Sequence, residues 1–451
     1  MRKKHSYRSV DVQALEAAKL LELLPKELVI VGIDIAKHRQ VVAFADPSGE
    51  TQRLCHFEHP TQTPLFLRFL EGLVQAGRKL QIVLEPTGTY GDALRNQCHQ
   101  RGWEVFMLSP NKTHDAKELY DGVPSQHDAK DATLIAKVHT QGLSRRFTPR
   151  SEADRTVRAL VTQRELYAKS IERLQGQLEG LLACHFPELE QHLDVREQKS
   201  ALKLLVAFPG PQQMAKDPEG VKEVLRRGSC GKLSPKTVKG VLGAAEQTQG
   251  VAPVLAEQDL LRTMASELLR LMELLEQLKP KLRALLEQLP EAMLLVATLG
   301  LCTTAVLWAY LGSLNSYGCV GALEKACGLN LKVSSSGRDR RKKRQPGLHI
   351  TKRGPGIVRK YLYLATLRWL QRDPVAVAWY QARSGYTEAS KMRAVVALMR
   401  KLVALLWHLS RGATYEPGRL FDLRRLCPKE ALSGGCIQHH DSEQEVTPQA
   451  P

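Results

Sequence analysis

"LVIVGIDIAKHRQVVAFADP", residues 28–47, contains two apolar runs, each about the length of a strand, separated by the polar "AKHRQ". Valine and isoleucine dominate the first, so both runs are expected to be strands of one sheet. Asp34 interrupts the first run. A carboxylate in such a strand is costly to bury unless it is paired or binds a cation.

Reading outward, "RLCHFEH" (53–59) alternates and suits a third strand, and "PLFLRFLEGLVQAG" (64–77) has helical periodicity and stops at a glycine. "LQIVLEP" (80–86) is a short apolar strand ended by proline, "DALRNQCHQRG" (92–102) a helix, "WEVFMLSP" (103–110) a strand, and "SQHDAKDATLIAKVHTQG" (125–142) a helix. Three meander strands followed by alternating strands and helices predict an α/β domain over 28–148, in an order found in ribonuclease H-like folds. The basic "MRKKHSYRSV" opens a segment, 1–27, placed outside that domain.

The next region, 149–290, is expected to be helical. Val157, Leu160, Arg164, Tyr167, Ile171, Leu174, Leu178 and Leu181 step by three and four residues. So do Leu261, Met264, Leu268, Leu271, Leu275, Leu278, Leu282, Leu285 and Leu289. Sustained 3-4 spacing is the coiled-coil signal, whether between chains or within one. Pro280 is expected to kink the second track. Between the tracks, 187–257 is an insert with no assignable chemistry. Residues 291–415 read as a mostly helical C-terminal domain and 416–451 as a polar tail.

The chain has 451 residues, enough for two to four domains. It carries 65 Lys and Arg against 47 Asp and Glu, a net charge of +18, which favours a polyanionic partner. Nine scattered cysteines without zinc spacing suggest reduced thiols in a cytoplasmic protein. "MLLVATLGLCTTAVLWAYLGSL" (293–314) is uncharged and long enough to span a bilayer, but its glycines and threonines suit two short buried helices joined at Gly300. No membrane partner is expected.

Glu85 ends the apolar strand "LQIVLEP", and Asp128 and Asp131 share one helix face. Taken singly, Asp34 also suits a turn, Glu85 a helix cap, and the Asp pair a solvated face. Together, four carboxylates converging on one sheet would require a divalent cation, and oxygen-only ligands favour Mg²⁺ or Mn²⁺. Two such ions can clamp both reacting oxygens of a phosphodiester.

"GIDIAK", "LEPTGTYG" and "HDAKDA", with "ACGLNLKVSSSG", "HITKRGPGIVRKYLYLA" and "KMRAVVALMRKLVALLW" in the second half, resemble the DEDD transposases of bacterial insertion sequences, related to the Piv-type DNA invertases. The resemblance covers most of 28–415. It implies an N-terminal RuvC-like ribonuclease H fold, a helical coiled-coil region and a mostly helical C-terminal transposase domain. It also implies a metal site at Asp34, Glu85, Asp128 and Asp131, and a serine nucleophile before a glycine, here Ser336 before Gly337. Ser334 and Ser335 are rivals that only the family pattern sets aside. Further implied are a structured noncoding guide RNA, donor and target DNA, and a homo-oligomer, dimeric alone and tetrameric on DNA, with an active site shared between the two domain types. One departure is "TLGLC", where Cys302 stands in place of the second glycine of the family's Pro-Gly-x-Gly hairpin.

Directly after Ser336 come Arg338, Arg340, Arg341, Lys342, Lys343 and Arg344, and Lys352, Arg353, Arg359 and Lys360 follow. These are candidate phosphate contacts. A solubilising surface is the plainer reading. The functional alternative to a recombinase is a RuvC-like metal nuclease or Holliday junction resolvase with water as attacker, for which Ser336 would be dispensable.

Overall fold

The computed structural model describes residues 8–86, 88–110, 112–114, 116, 127–334 and 347–426. It divides into two compact units, 1–150 and 151–451.

The first unit is a mixed sheet with helices. In chain order it runs β1 (Val10–Asp11), α1 (Ala17–Leu23), β2 (Leu28–Asp34), β3 (Arg39–Ala45), β4 (Thr51–Glu58), α2 (Thr63–Gln75), β5 (Lys79–Leu84), α3 (Asp92–Gln100), β6 (Glu104–Met107), α4 (Asp128–Thr140) and β7 (Arg145–Arg146). The spatial order is β1-β4-β3-β2-β5-β6-β7. β2, β3 and β4 form an antiparallel meander, while β5 and β6 add to β2 in parallel. The strands and helices read from 28 to 142 are therefore present. β1, β7 and α1 extend them.

Residues 10–24 pack with the sheet. β1 pairs with β4, and Val12, Leu20 and Leu24 are buried in the same core as β2. These apolar side chains hold residues 10–24 in place.

Strand alternation sorts the core onto two faces. Val29, Val31 and Ile33 of β2, with Leu80, Ile82 and Leu84 of β5, pack against Phe66, Leu70 and Leu94 of α2 and α3. Ile30 and Val83 face the opposite way, onto Leu134, Ile135, Ala136 and Val138 of α4. Gly32 shares that second face. A Cβ on it would lie 2.6 Å from the Ala132 carbonyl oxygen and 2.8 Å from the Ala136 nitrogen. Only a residue without a side chain lets α4 lie this close to β2.

The second unit is mostly helical. Two long helices, α5 (Glu152–His185) and α10 (Leu255–Glu287), carry the two heptad tracks. They pair within the chain. Leu178 and Leu182 share a core with Leu261, Met264 and Leu268, whereas Val157 and Val161 share one with Leu282 and Leu286, so the helices run antiparallel. The seam that suggested an oligomer is thus occupied intramolecularly. α10 continues through Pro280.

The insert forms α6 (Lys199–Ala207), α7 (Pro211–Lys216), α8 (Pro218–Gly228) and α9 (Pro235–Gln247), packed on the upper part of the α5–α10 pair. α11 (Pro290–Leu299) and α12 (Leu301–Leu311) are two short helices meeting at Gly300, as read from the sequence. No described helix is long and apolar enough to cross a membrane. α13 (Val320–Cys327), the ribbon of β8 (Leu331–Ser334) and β9 (Gly347–Ile350), α14 (Gly356–Leu370), α15 (Pro374–Arg383) and α16 (Glu388–Leu409) follow. The seven described cysteines are free, and Cys55, Cys98 and Cys327 are buried.

A paired substitution checks the sheet–helix crossing. Gly32→Ala should destabilise the protein by about 1–3 kcal/mol through overpacking. Gly72→Ala, inside α2 with nothing within 4 Å of its Cβ, should stabilise it by about 0.5–1 kcal/mol. Thermal denaturation reads both, and opposite signs are expected.

Candidate active site

Asp34 is the last residue of β2 and is half-buried. It lies two residues after Gly32, so alternation points its side chain to the α4 side of the sheet. Ile33 pairs with Leu84 on neighbouring β5. Glu85 follows directly after β5. Two carboxylates thus stand at the same end of adjacent, parallel strands.

α4 runs antiparallel to β2, because Ile30 shares a cluster with Val138 while Gly32 meets Ala132. Its N-terminal turn therefore comes to the end of β2 that bears Asp34. Asp128 and Asp131 sit in that turn. His127 caps it, with ring Nδ1 accepting from the Ala129 N–H at 3.2 Å. Acidic residues are favourable at a helix N-terminus, which accounts for part of their placement without any ligand.

The backbone brings the four carboxylates to one end of the sheet, but it does not close them into a cage. Among the described residues no group of three or more His, Cys, Asp or Glu side chains stands close enough to hold an ion. Glu85 is held by Thr113, whose buried hydroxyl lies 2.6 Å from Oε2. The donors are all carboxylate oxygens, which suits a hard divalent cation. The fit lies in placement and donor chemistry.

Three residues that matter here went unsingled in the sequence. Gly32 sets the helix-to-strand distance. Thr113 orients Glu85. Lys130, between the two aspartates, is fully buried and is not a free group. "HDAKDA" carries Lys130 in plain view, but a lysine next to two aspartates reads as solvated surface. No pattern in "PNKTHDA" marks Thr113.

Ser336 and the run Arg338, Arg340, Arg341, Lys342, Lys343 and Arg344 lie outside the described residues. The ribbon strands on either side of them are described, with Ser334 paired to Gly347. Lys352 and Arg353 are exposed on the loop after β9. Arg359 is engaged otherwise: it donates to the carbonyls of Gly354 at 2.7 Å and Cys327 at 3.4 Å. This locks the loop against the end of α13, where Gly328 has φ +71 and a Cβ would lie 2.8 Å from the Arg359 guanidinium. Lys360 stands 3.6 Å from the carboxylate of Glu165 on α5. The Tyr361 hydroxyl donates to Glu165, and Arg164 bonds both. Burial, with the bond to Glu165, pushes the Tyr361 phenol up from its ordinary value. Arg164, a polar residue on a heptad track, is thereby explained as a structural contact.

Residues 31–187 match the DEDD transposase family of the IS110 type, and residues 295–381 match the transposase IS116/IS110/IS902 family. The first match contains Asp34, Glu85, Asp128 and Asp131, and the second contains Ser336 and Lys360. The chain is also similar to the pilin gene-inverting protein of Moraxella bovis, 26% identical over 153 residues, which are 34% of this chain and 46% of that protein. The match thus spans about half the length of that relative.

The cations separate into two kinds, and stability measures the difference. Arg359→Ala should cost about 1.5–3 kcal/mol, the range for charged hydrogen bonds. Lys352→Ala, at an exposed position, should change stability by less than about 0.5 kcal/mol. Denaturant titration of the two variants distinguishes them.

Proposed function

This chain belongs to the IS110-type DEDD transposases, enzymes of DNA recombination, and on that premise we propose that it cuts and rejoins DNA through a divalent-metal site and a serine nucleophile. The metal ligands in this reading are Asp34, Glu85, Asp128 and Asp131, the ion Mg²⁺ or Mn²⁺, and the nucleophile Ser336. The observation that carries it is shared placement: Asp34 ends β2, Glu85 directly follows the adjacent parallel β5, and the N-terminal turn of α4 with Asp128 and Asp131 comes to the same end of the sheet. The order of the sheet, a three-strand meander extended in parallel by β5 and β6, supports assigning the first unit to the RuvC-like ribonuclease H folds.

Bound there, a divalent ion would neutralise phosphate oxygens and the acidic cluster together. The chain's own groups do the rest. The carboxylates would hold the ion, and one of them can accept the serine proton. Thr113 restrains Glu85. The Ser336 oxygen bonds to phosphorus as the strand's P–O bond breaks, and the proton ends on the leaving oxygen. The phosphoserine ester keeps the energy of the broken bond, so a second DNA hydroxyl can displace the serine without ATP. Arg338, Arg340, Arg341, Lys342, Lys343 and Arg344, with Lys352 and Arg353, would balance charge on the phosphate. Gly337 would permit close approach of the backbone.

A structured noncoding RNA as guide and a homo-oligomer, tetrameric on DNA, complete the proposal. Net charge of +18 and family membership support the first. The second must use a face other than the seam between α5 and α10.

Suicide DNA substrates that lose their rejoining strand test the chemistry. Wild-type protein should form a covalent adduct that maps by peptide sequencing to Ser336. Ser336→Ala should bind DNA and form none, and Asp34→Ala and Glu85→Ala should lower adduct formation at least 100-fold. Strand cleavage by Ser336→Ala at the wild-type rate would instead favour a nuclease using water.

A further inference from the structure

The insert between the long helices lies outside both family matches, which end at 187 and resume at 295. Its function therefore has to be read from its own chemistry. α8 and α9 are joined by the turn 229–234, in which Cys230 has φ +53 and Gly231 φ +74. Over 222–239 the chain places Lys222, Arg226, Arg227, Lys232, Lys236 and Lys239 against one acid, Glu223. Periodicity hides this patch, because the cations are spread over two helices and a turn. The fold brings them onto one corner.

The six cations lie on the surface of that corner. Arg226 bonds Glu223 at 2.8 and 2.9 Å, Arg227 shares that carboxylate, and Lys222 pairs with Glu219 at 2.7 Å. Among the described residues, Lys232, Lys236 and Lys239 make no ion pair. Between α8 and α9 opens a cleft of about 530 Å³, rimmed by Lys222, Arg226 and Lys239 and floored by Leu233, Val238 and Leu242. Three cations on the rim of an apolar floor, with Arg227, Lys232 and Lys236 exposed on the same two helices and turn, are what a sugar–phosphate strand complements, with the sugar on the aliphatic side chains and the phosphates on the rim. The rim side chains are long, exposed cations, the residue types that make most phosphate contacts, which suits positioning on the backbone.

We propose that the α8–turn–α9 corner of the insert is a second DNA-docking surface that grips the phosphate backbone of the duplex outside the candidate active site. The proposal rests on the DNA-recombinase reading above. It adds a surface that the family matches do not reach, and a role for the insert: to hold the duplex away from the point where it is cut.

Two readouts on the full-length protein test it. The first is binding of a 30-bp duplex over a salt series. Lys222→Ala, Arg226→Ala and Lys239→Ala combined should reduce the slope of log K against log [salt] by about 0.9 for each phosphate no longer neutralised, roughly 2 to 3 in all. Affinity at moderate salt should fall at least tenfold. The variant should still form the Ser336 adduct at saturating DNA. An unchanged slope with native circular dichroism would overturn the proposal. Absence of adduct in the wild type would instead count against the recombinase reading and leave the slope result to decide this one. The second readout does not depend on the variant folding. Saturating duplex DNA should slow maleimide labelling of exposed Cys230 at least fivefold while leaving exposed Cys319 unchanged. An RNA of matched length that protects Cys230 along with DNA supports a shared backbone grip. Equal labelling of Cys230 with and without DNA, or protection by RNA alone, overturns it.

Discussion

The contact of α4 with β2 at Gly32 is the constraint on which the rest of the first unit depends. A helix backbone lies against a strand at a distance that any side chain would forbid. This fixes the height of α4 above the sheet, and the antiparallel run then fixes which end of α4 meets which end of β2. The N-terminal turn with Asp128 and Asp131 is delivered to the strand end with Asp34, and β5 delivers Glu85 alongside through its register with β2. Asp34, Asp128 and Asp131 stand on regular elements, and Glu85, just past the end of β5, is held by Thr113.

Much of this was legible in the sequence because it follows simple periods. Strands at 28–34, 39–45 and 79–84 show as apolar runs, and Asp34 stands out because it breaks one. The division at Gly300 shows because glycine interrupts an otherwise continuous apolar stretch. Other features have no period to show. β1 and β7 are two residues long, and their pairing is decided by neighbours distant in sequence. A heptad track reveals a seam but not the partner, so nothing in α5 or α10 announced that each would fill the other's seam. Arg359 looked like its neighbours in a basic stretch. Its geometry against two carbonyls exists only once Gly328 and Gly354 have brought α13 and the loop together. The cations of the insert are diluted along the chain and concentrated by folding.

The two units divide the work unequally. The first supplies acidic groups on a rigid sheet. The second carries exposed cations on helices α8 and α9 and on the loop after β9. In the reading proposed above, both kinds of group would serve one phosphodiester, whose charge needs balancing both where it is held and where it is broken. Residues such as Glu165 and Tyr361 tie the long helices to α14, so that the ribbon is carried on a braced helical frame.

The central claim is that the end of β2 and β5 facing α4 holds a divalent ion. Diffraction from crystals soaked in Mn²⁺, collected at a wavelength where manganese scatters anomalously, tests this directly. The account predicts an anomalous peak about 2.1 Å from carboxylate oxygens of Asp34 and Glu85, on the face of the sheet that α4 covers, and lost in Asp34→Ala. A peak confined to other carboxylates, or none at a concentration that supports strand cleavage, would contradict it.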